Sequence, residues 1–216
     1  DIKYIYRENG GKMRAHNAGV RFTETELFVC LDSDDSFTKN TVSDILKQWE
    51  KVSGDMGIAG IVAHKGRDKE HTLYDAVFPA VEADTLSGLY RKGFKGETTL
   101  IYRTEILKKH LFPEIPGEKY VPEDVVYDEI DREYRLSVLN RILTVCTLRD
   151  EGLTDRASEL REKNPTGWYI YYVNRARYTG FSLLKIKYIS HYLRFRPVAD
   201  EKIKRDNKIS VPTSLL

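Results

Sequence analysis

Apolar and polar positions along the chain alternate between two periods, and the alternation predicts the elements. Ile2-Lys-Tyr-Ile-Tyr6 reads as a strand, Asn9-Gly-Gly11 as a turn, and Lys12–Thr23 as a helix. Leu27–Leu31 is an unbroken apolar run and reads as a buried strand. Asn40–Lys51 carries Val42, Ile45, Leu46 and Trp49 at helical spacing, with Thr38 or Asn40 as cap and Trp49 on the core face. Gly57–Ala63 reads as a strand, Arg67–Gly93 as a turn-rich insertion, Glu97–Tyr102 as a strand and Thr104–His110 as a short helix. After a Pro/Gly-bearing loop over 112–117, Glu123–Leu136 reads as a helix with Val126, Ile130 and Tyr134 on one stripe, and Arg141–Leu148 as a strand. The chain from about Thr154 reads as mostly helical, with a loose polar tail after Pro197. Strands alternating with helices predict an α/β sheet, with no internal repeat.

Bulk properties narrow the class. The 216 residues are 41% hydrophobic and 31% charged, which suits a globular domain with a real core. The net charge of +2 gives no reason to expect a nucleic-acid partner. Cys30 and Cys146 lie in apolar runs and are expected to be reduced core residues, which suits the cytoplasm; neither has metal-ligand spacing. No apolar run approaches the ~18 residues needed to span a bilayer. No signal peptide is evident, and the chain starts at Asp1, without Met, as a fragment of something longer would.

Three constellations carry chemistry. First, the apolar run ends abruptly at Asp32, Asp34 and Asp35. In α/β sheets ligands bind beyond the carboxyl ends of strands. Clustered carboxylates there suit a hard divalent cation, which commonly bridges protein to phosphate. A lone Asp would read as a helix cap; Asp-Ser-Asp-Asp after a buried run favours a site. An EF-hand is excluded, because Gly at the sixth and Glu at the twelfth loop position are missing. Second, Asn9-Gly-Gly-Lys-Met-Arg-Ala-His-Asn-Ala-Gly19 places paired glycines, Lys12 and Arg14 at a helix start, where free N–H groups favour an anion. Taken alone it is also an ordinary turn and surface helix. Third, Val121-Pro-Glu-Asp124 sets Glu123 and Asp124 at a helix start. There they complement the helix dipole, or can accept a proton from a substrate hydroxyl.

These elements, in this order, resemble the family 2 glycosyltransferases with the GT-A fold. The Gly-Gly-Lys…Asn…Gly stretch is similar to the family's donor-binding helix, Asp32-Ser-Asp-Asp35 to its DXD motif, and Glu123-Asp124 to its catalytic pair. Glu97-Thr-Thr, Phe112-Pro, Gly117-Glu-Lys-Tyr-Val-Pro-Glu123 and Gly152-Leu-Thr resemble a bacterial branch that builds surface polysaccharides. The resemblance covers Ile2 to about Pro165. It implies a GT-A-like (nucleotide-diphospho-sugar transferase) mixed sheet flanked by helices, without the amino-terminal strand–helix units that hold the base. The division expected is a partial catalytic domain over 1–153, a helical basic-aromatic extension over 154–197 and a tail over 198–216. Thr147-Leu-Arg-Asp150 departs from the branch, which carries Glu-Tyr and Pro there.

The resemblance implies sugar transfer from a nucleotide-diphosphate donor, a UDP-sugar above all, to an acceptor hydroxyl with inversion. Asp34, with Asp32, would hold Mg2+ or Mn2+. Gly11, Lys12, Asn17, Asp32 and Asp35 would serve the donor, Asp124 would be the base and Glu123 its companion or alternative. Trp168–Arg196 adds six cations, no acid and many aromatics, which suits either packed helices with a solvated basic face or peripheral contact with an anionic membrane face. The latter fits a glycan or lipid-linked acceptor. Two other readings stay open: a haloacid-dehalogenase-type, Mg-dependent phosphatase, because Asp32-Ser-Asp-Asp-Ser36 nears that nucleophile motif, and an inactive fragment that only binds membrane or sugar nucleotide.

Overall fold

The computed structural model describes residues 2–147, 157–207 and 209. The Gly152-Leu-Thr motif and Leu148–Asp150 lie outside them. The chain divides into two compact units: 1–18, 112–126 and 153–216 form one, and 19–111 with 127–152 the other.

The second unit holds the sheet. Its strands are β1 (Leu27–Val29), β2 (Ser36–Phe37), β3 (Ile58–Gly66), β4 (Ala83–Asp84), β5 (Thr98–Arg103) and β6 (Arg135–Val145). They run in the order β1-β5-β3-β6-β2, with β4 also on β6. Among the described residues, β3 and β6 pair in parallel and the other strand pairs are antiparallel. β3 is buried on both faces, so it reads as an apolar run without alternation. Gly60 within it has a backbone cause: a Cβ there would meet the Ile101 carbonyl oxygen at 1.9 Å. Helix α2 (Thr41–Val52) buries Ile45 and Trp49 against Ile58, Ile61, Ala63, Ile101 and Leu143. Arg103 seals this core, its guanidinium 4.4 Å over Trp49 and donating to the carbonyls of Ile58 and Ser53.

Several expectations need correction. Ile2–Tyr6 forms no strand: its side chains are exposed, and among the described residues no strand pairs with it, without which alternation makes no strand. Strand β1 stops at Val29 and is half-buried, because β5 is its one recorded neighbour; Cys30 is therefore exposed and Cys146 half-buried, not core. Val42 and Leu46 face outward from α2. The helix at Glu123 is short: α5 spans Asp124–Ile130, and Leu136 already belongs to β6. Asp131 ends it, its carboxylate accepting from the N–H groups of Leu86 and Ser87 at the start of α3 (Leu86–Arg91). The insertion over 67–93 thus holds β4, α3 and a 3-10 turn, Leu73–Asp75. Helix α4 (Thr104–Lys109) follows β5 as expected.

The first unit is helical. Helix α1 (Lys12–Phe22) begins in it, and α6 (Ala157–Lys163), α7 (Pro165–Tyr178), α8 (Leu183–Phe195) and α9 (Glu201–Asp206) complete it. The expected loose tail therefore holds a short helix, capped by the Asp200 carboxylate. Glu118 caps α7 from the 112–126 segment, accepting from Thr166 N–H at 2.7 Å and Gly167 N–H at 2.9 Å. Asn164 accepts from the N–H groups of Lys119 and Tyr120.

Candidate active site

In the second unit, β1, β3 and β6 run in one direction, since β1 and β3 are each antiparallel to β5 and β6 is parallel to β3. Their carboxyl ends share one edge of the sheet, where the turn over 32–35 lies. Asp35 N–H donates to the Asp32 carbonyl at 3.0 Å, and Ser36 pairs with Val145. Cys146 N–H donates to the Gly66 carbonyl, which ties the end of β6 to the end of β3.

The turn's acidic side chains meet a cation that sequence reasoning missed. Lys65 Nζ lies 3.3 Å from Asp35 Oδ2 and 3.9 Å from Asp32 Oδ2, and the Cys146 thiol reaches Asp35 at 3.5 Å. Burial opposes charge on Lys65, but Cys146, Asp35 and Asp32 outweigh it and the ammonium is held above its ordinary value. Burial pushes the Cys146 thiol up to about 11, against the pull of Lys65. Lys65 follows His64 near the end of β3, and its position in the sequence alone does not set it apart from the other lysines.

Asp34 is half-buried on the same turn. Among the described residues, no three His, Cys, Asp or Glu side chains converge to hold a metal on their own. A carboxylate turn of this kind fits Mg2+ or Mn2+ held by one or two protein oxygens and completed by substrate phosphate and water.

In the first unit the other residues come together. Lys12, in the first turn of α1, pairs with Glu123 at 3.1 Å, and Arg175 of α7 pairs with Asp124 at 3.0 Å. Arg175 also lies 5.3 Å over the Tyr171 ring. Burial, then the charges of Glu123 and Asp124, raise the Tyr120 phenol above its ordinary value. Burial lowers His16, Glu123 opposes this and Lys12 adds to it. Sequence reasoning did not single out Tyr120 or His16, and read Arg175 only as one cation of the basic-aromatic segment, whereas it pairs with Asp124.

Gly11 and Asn17 have structural partners. Gly11 sits at φ +91, and a Cβ on it would meet the Lys119 carbonyl oxygen at 1.8 Å. Asn17 is 0% exposed. Its amide donates to the Phe112 carbonyl at 2.9 Å and to Glu114 Oε1 at 3.1 Å, and accepts from Phe112 N–H at 2.9 Å.

The mixed sheet flanked by helices, with a carboxylate turn after β1, agrees with the GT-A-like fold expected from the sequence. The sequence model of glycosyl transferase family 2 matches residues 1–111, and the chain belongs to that family. The structure is similar to two structures of Staphylococcus aureus TarS 1-349, one of them in complex with UDP, in each case with 18% identity and a TM-score of 0.53, covering 96% of this chain and 57% of that one. It is similar also to S. aureus TarS, with 17% identity and a TM-score of 0.54, over 96% of this chain and 35% of that one. The chain thus spans little more than half of TarS 1-349. No protein of curated function matches it in sequence. Family membership favours the glycosyltransferase over the phosphatase alternative.

Proposed function

We propose that the protein transfers a sugar from a nucleotide-diphosphate donor to an acceptor hydroxyl with inversion, in the building of a bacterial polysaccharide. The observation that carries this reading is the turn over 32–35 at the shared carboxyl edge of β1, β3 and β6, in a chain of glycosyl transferase family 2. The UDP bound by one TarS structure supports UDP as the donor's nucleotide.

Asp34, with Asp32, would hold Mg2+ or Mn2+ at the donor diphosphate. When bound, the cation supplies positive charge against the charge that grows on the leaving diphosphate. Lys65 fixes Asp35 and Asp32 and so sets the direction of the turn. Lys12 adds positive charge for the donor. Gly11 and Asn17 shape the helix that presents Lys12, by packing on Lys119 and binding the 112–114 loop. Asp124 is the general base, oriented by Arg175, and Glu123 is its companion, oriented by Lys12. The acceptor oxygen loses its proton to Asp124 and forms the new bond to the anomeric carbon. The bond from that carbon to the diphosphate oxygen breaks, and its electron pair leaves with the diphosphate. The acceptor is a glycan hydroxyl, carried on a lipid.

The test is release of UDP from a panel of UDP-sugars in the presence of Mn2+ and candidate acceptors, by this chain and by Asp124→Asn. Loss of the base should slow turnover by roughly 10²–10⁴-fold. Turnover unchanged in Asp124→Asn removes Asp124 from the role of base.

A further inference from the structure

The basic-aromatic segment divides into two parts with different tasks. Four of its nine aromatics form the interior of the helical unit, and four more are half-buried. Tyr169, Tyr172, Tyr192 and Phe195 are buried; Tyr172 stacks on His191 at 4.6 Å and lies 5.6 Å from Phe195, and Tyr169 lies 5.4 Å from Tyr192. These rings hold α7 to α8 and cannot meet a membrane.

The turn between the two helices is different. Phe181 is 90% exposed, Leu183 85%, Leu184 49% and Ile186 37%. Four large apolar side chains thus stand outward within six residues. The inward face of α8 begins only later, with Ile189, Tyr192 and Phe195. Ser182 caps α8, accepting from Lys185 N–H, so the helix starts at this tip with its positive end. Lys185 and Lys187 sit among the apolar residues, and Arg177 is exposed at the end of α7. No Asp or Glu occurs between Pro165 and Ala199. Among the described residues no helix is long and apolar enough to cross a membrane.

We propose that the α7–α8 turn is a wedge that inserts Phe181, Leu183 and Leu184 into the interface of an anionic lipid bilayer, with Lys185, Lys187 and Arg177 at the level of the phosphates. A protruding apolar tip ringed by cations matches the layering of an interface, where apolar groups enter ~5–10 Å and cations stay with the headgroups. The proposal does not depend on sugar transfer. It identifies where the chain would meet a surface on which a lipid-carried acceptor lies.

The test is flotation with phosphatidylcholine vesicles, with and without about one-third phosphatidylglycerol. The proteins compared are this chain, Phe181→Ser/Leu183→Ser and Lys185→Gln/Lys187→Gln. All four side chains are exposed or partly so, and an unchanged melting temperature confirms folding. The unaltered chain binds the anionic vesicles more tightly than the neutral ones. The apolar double variant weakens this by roughly tenfold or more, from the side-chain area it no longer buries. The lysine variant weakens it by about fivefold per charge, and salt weakens it further. In Phe181→Trp, brominated lipid quenches emission beyond that of Trp49 and Trp168. Equal binding by the chain and the apolar variant overturns the wedge and leaves adsorption by charge alone. Absence of vesicle binding, or self-association of the chain abolished by the apolar variant, also overturns it.

Discussion

Asn17→Ala separates a structural from a donor-binding role for a residue whose type and place suit either. The side chain is fully buried and makes three hydrogen bonds, two of them to the backbone of Phe112. Alanine would leave the Phe112 N–H and carbonyl in a buried setting without that partner. Each orphaned buried group costs about 1–3 kcal/mol, so the variant should lose roughly 2–5 kcal/mol, allowing for partial relaxation around the gap. Against a total stability of about 5–15 kcal/mol this is severe. At roughly 2–4 °C per kcal/mol for a chain of this size, the melting temperature should fall by about 5–15 °C. Asn17→Asp keeps an acceptor for Phe112 N–H but loses both donors and sets a carboxylate beside Glu114, so it should fall as well. The assay is differential scanning calorimetry of the three proteins, paired with titration of UDP at a temperature where all are folded. Unchanged melting of Asn17→Ala with weakened UDP binding would refute the reasoning and return Asn17 to direct contact with the donor.

Further outcomes follow from the second unit and the histidines. Arg103→Met removes donors from the Ile58 and Ser53 carbonyls and should cost roughly 2–4 kcal/mol, read as a lower urea midpoint; a midpoint within error of the parent's contradicts this. Iodoacetamide should label one thiol quickly, the exposed Cys30, and Cys146 slowly, because burial holds its thiol at about 11; Cys30→Ser should abolish the fast phase. Burial, the leading cause at each, lowers the pKa of His16, His64 and His191 below 6.5, so the unfolded chain binds protons more readily. Their contribution is complete above the unfolded value and is lost as pH falls below it. Melting temperature should therefore drop between about pH 7.5 and 5.5, and less so in His64→Asn.

Local signals in the sequence were read well where burial and chemistry reinforce one another. The strand at Leu27 was legible from its composition, but its depth and length were not: β1 ends at Val29 and is half-buried, with Leu31 exposed. Ile45 and Trp49 were legible from helical spacing, yet Val42 and Leu46 share that spacing and face outward. Spacing places residues on a stripe; the sheet decides how much of it is covered. Cys30 failed for a related reason, since an apolar run does not say how many neighbours its strand will have. Where α5 ends, Asp131 binds the start of α3, a contact 45 residues away in sequence that local composition does not show. The partners of Asn17 lie 95 and 97 residues away, so composition at position 17 could not separate a clamp from a ligand contact. Lys65 was hidden as one Lys among many, and only the meeting of β3 with the 32–35 turn sets it apart. The aromatics of the 168–196 segment suggested a membrane face, while the structure buries Tyr169, Tyr172, Tyr192 and Phe195 between helices and leaves Phe181 exposed at the turn.

The central claim is an Asp-Ser-Asp-Asp donor site that works with a divalent cation. Its most direct test is isothermal titration of UDP into the chain and into Asp34→Ala, with Mn2+ and with EDTA. The account predicts heat of binding for the unaltered chain that requires Mn2+ and is lost in Asp34→Ala. UDP binding indifferent to both EDTA and Asp34→Ala would contradict it, as would Mg-dependent hydrolysis of a phosphomonoester that Asp32→Asn abolishes.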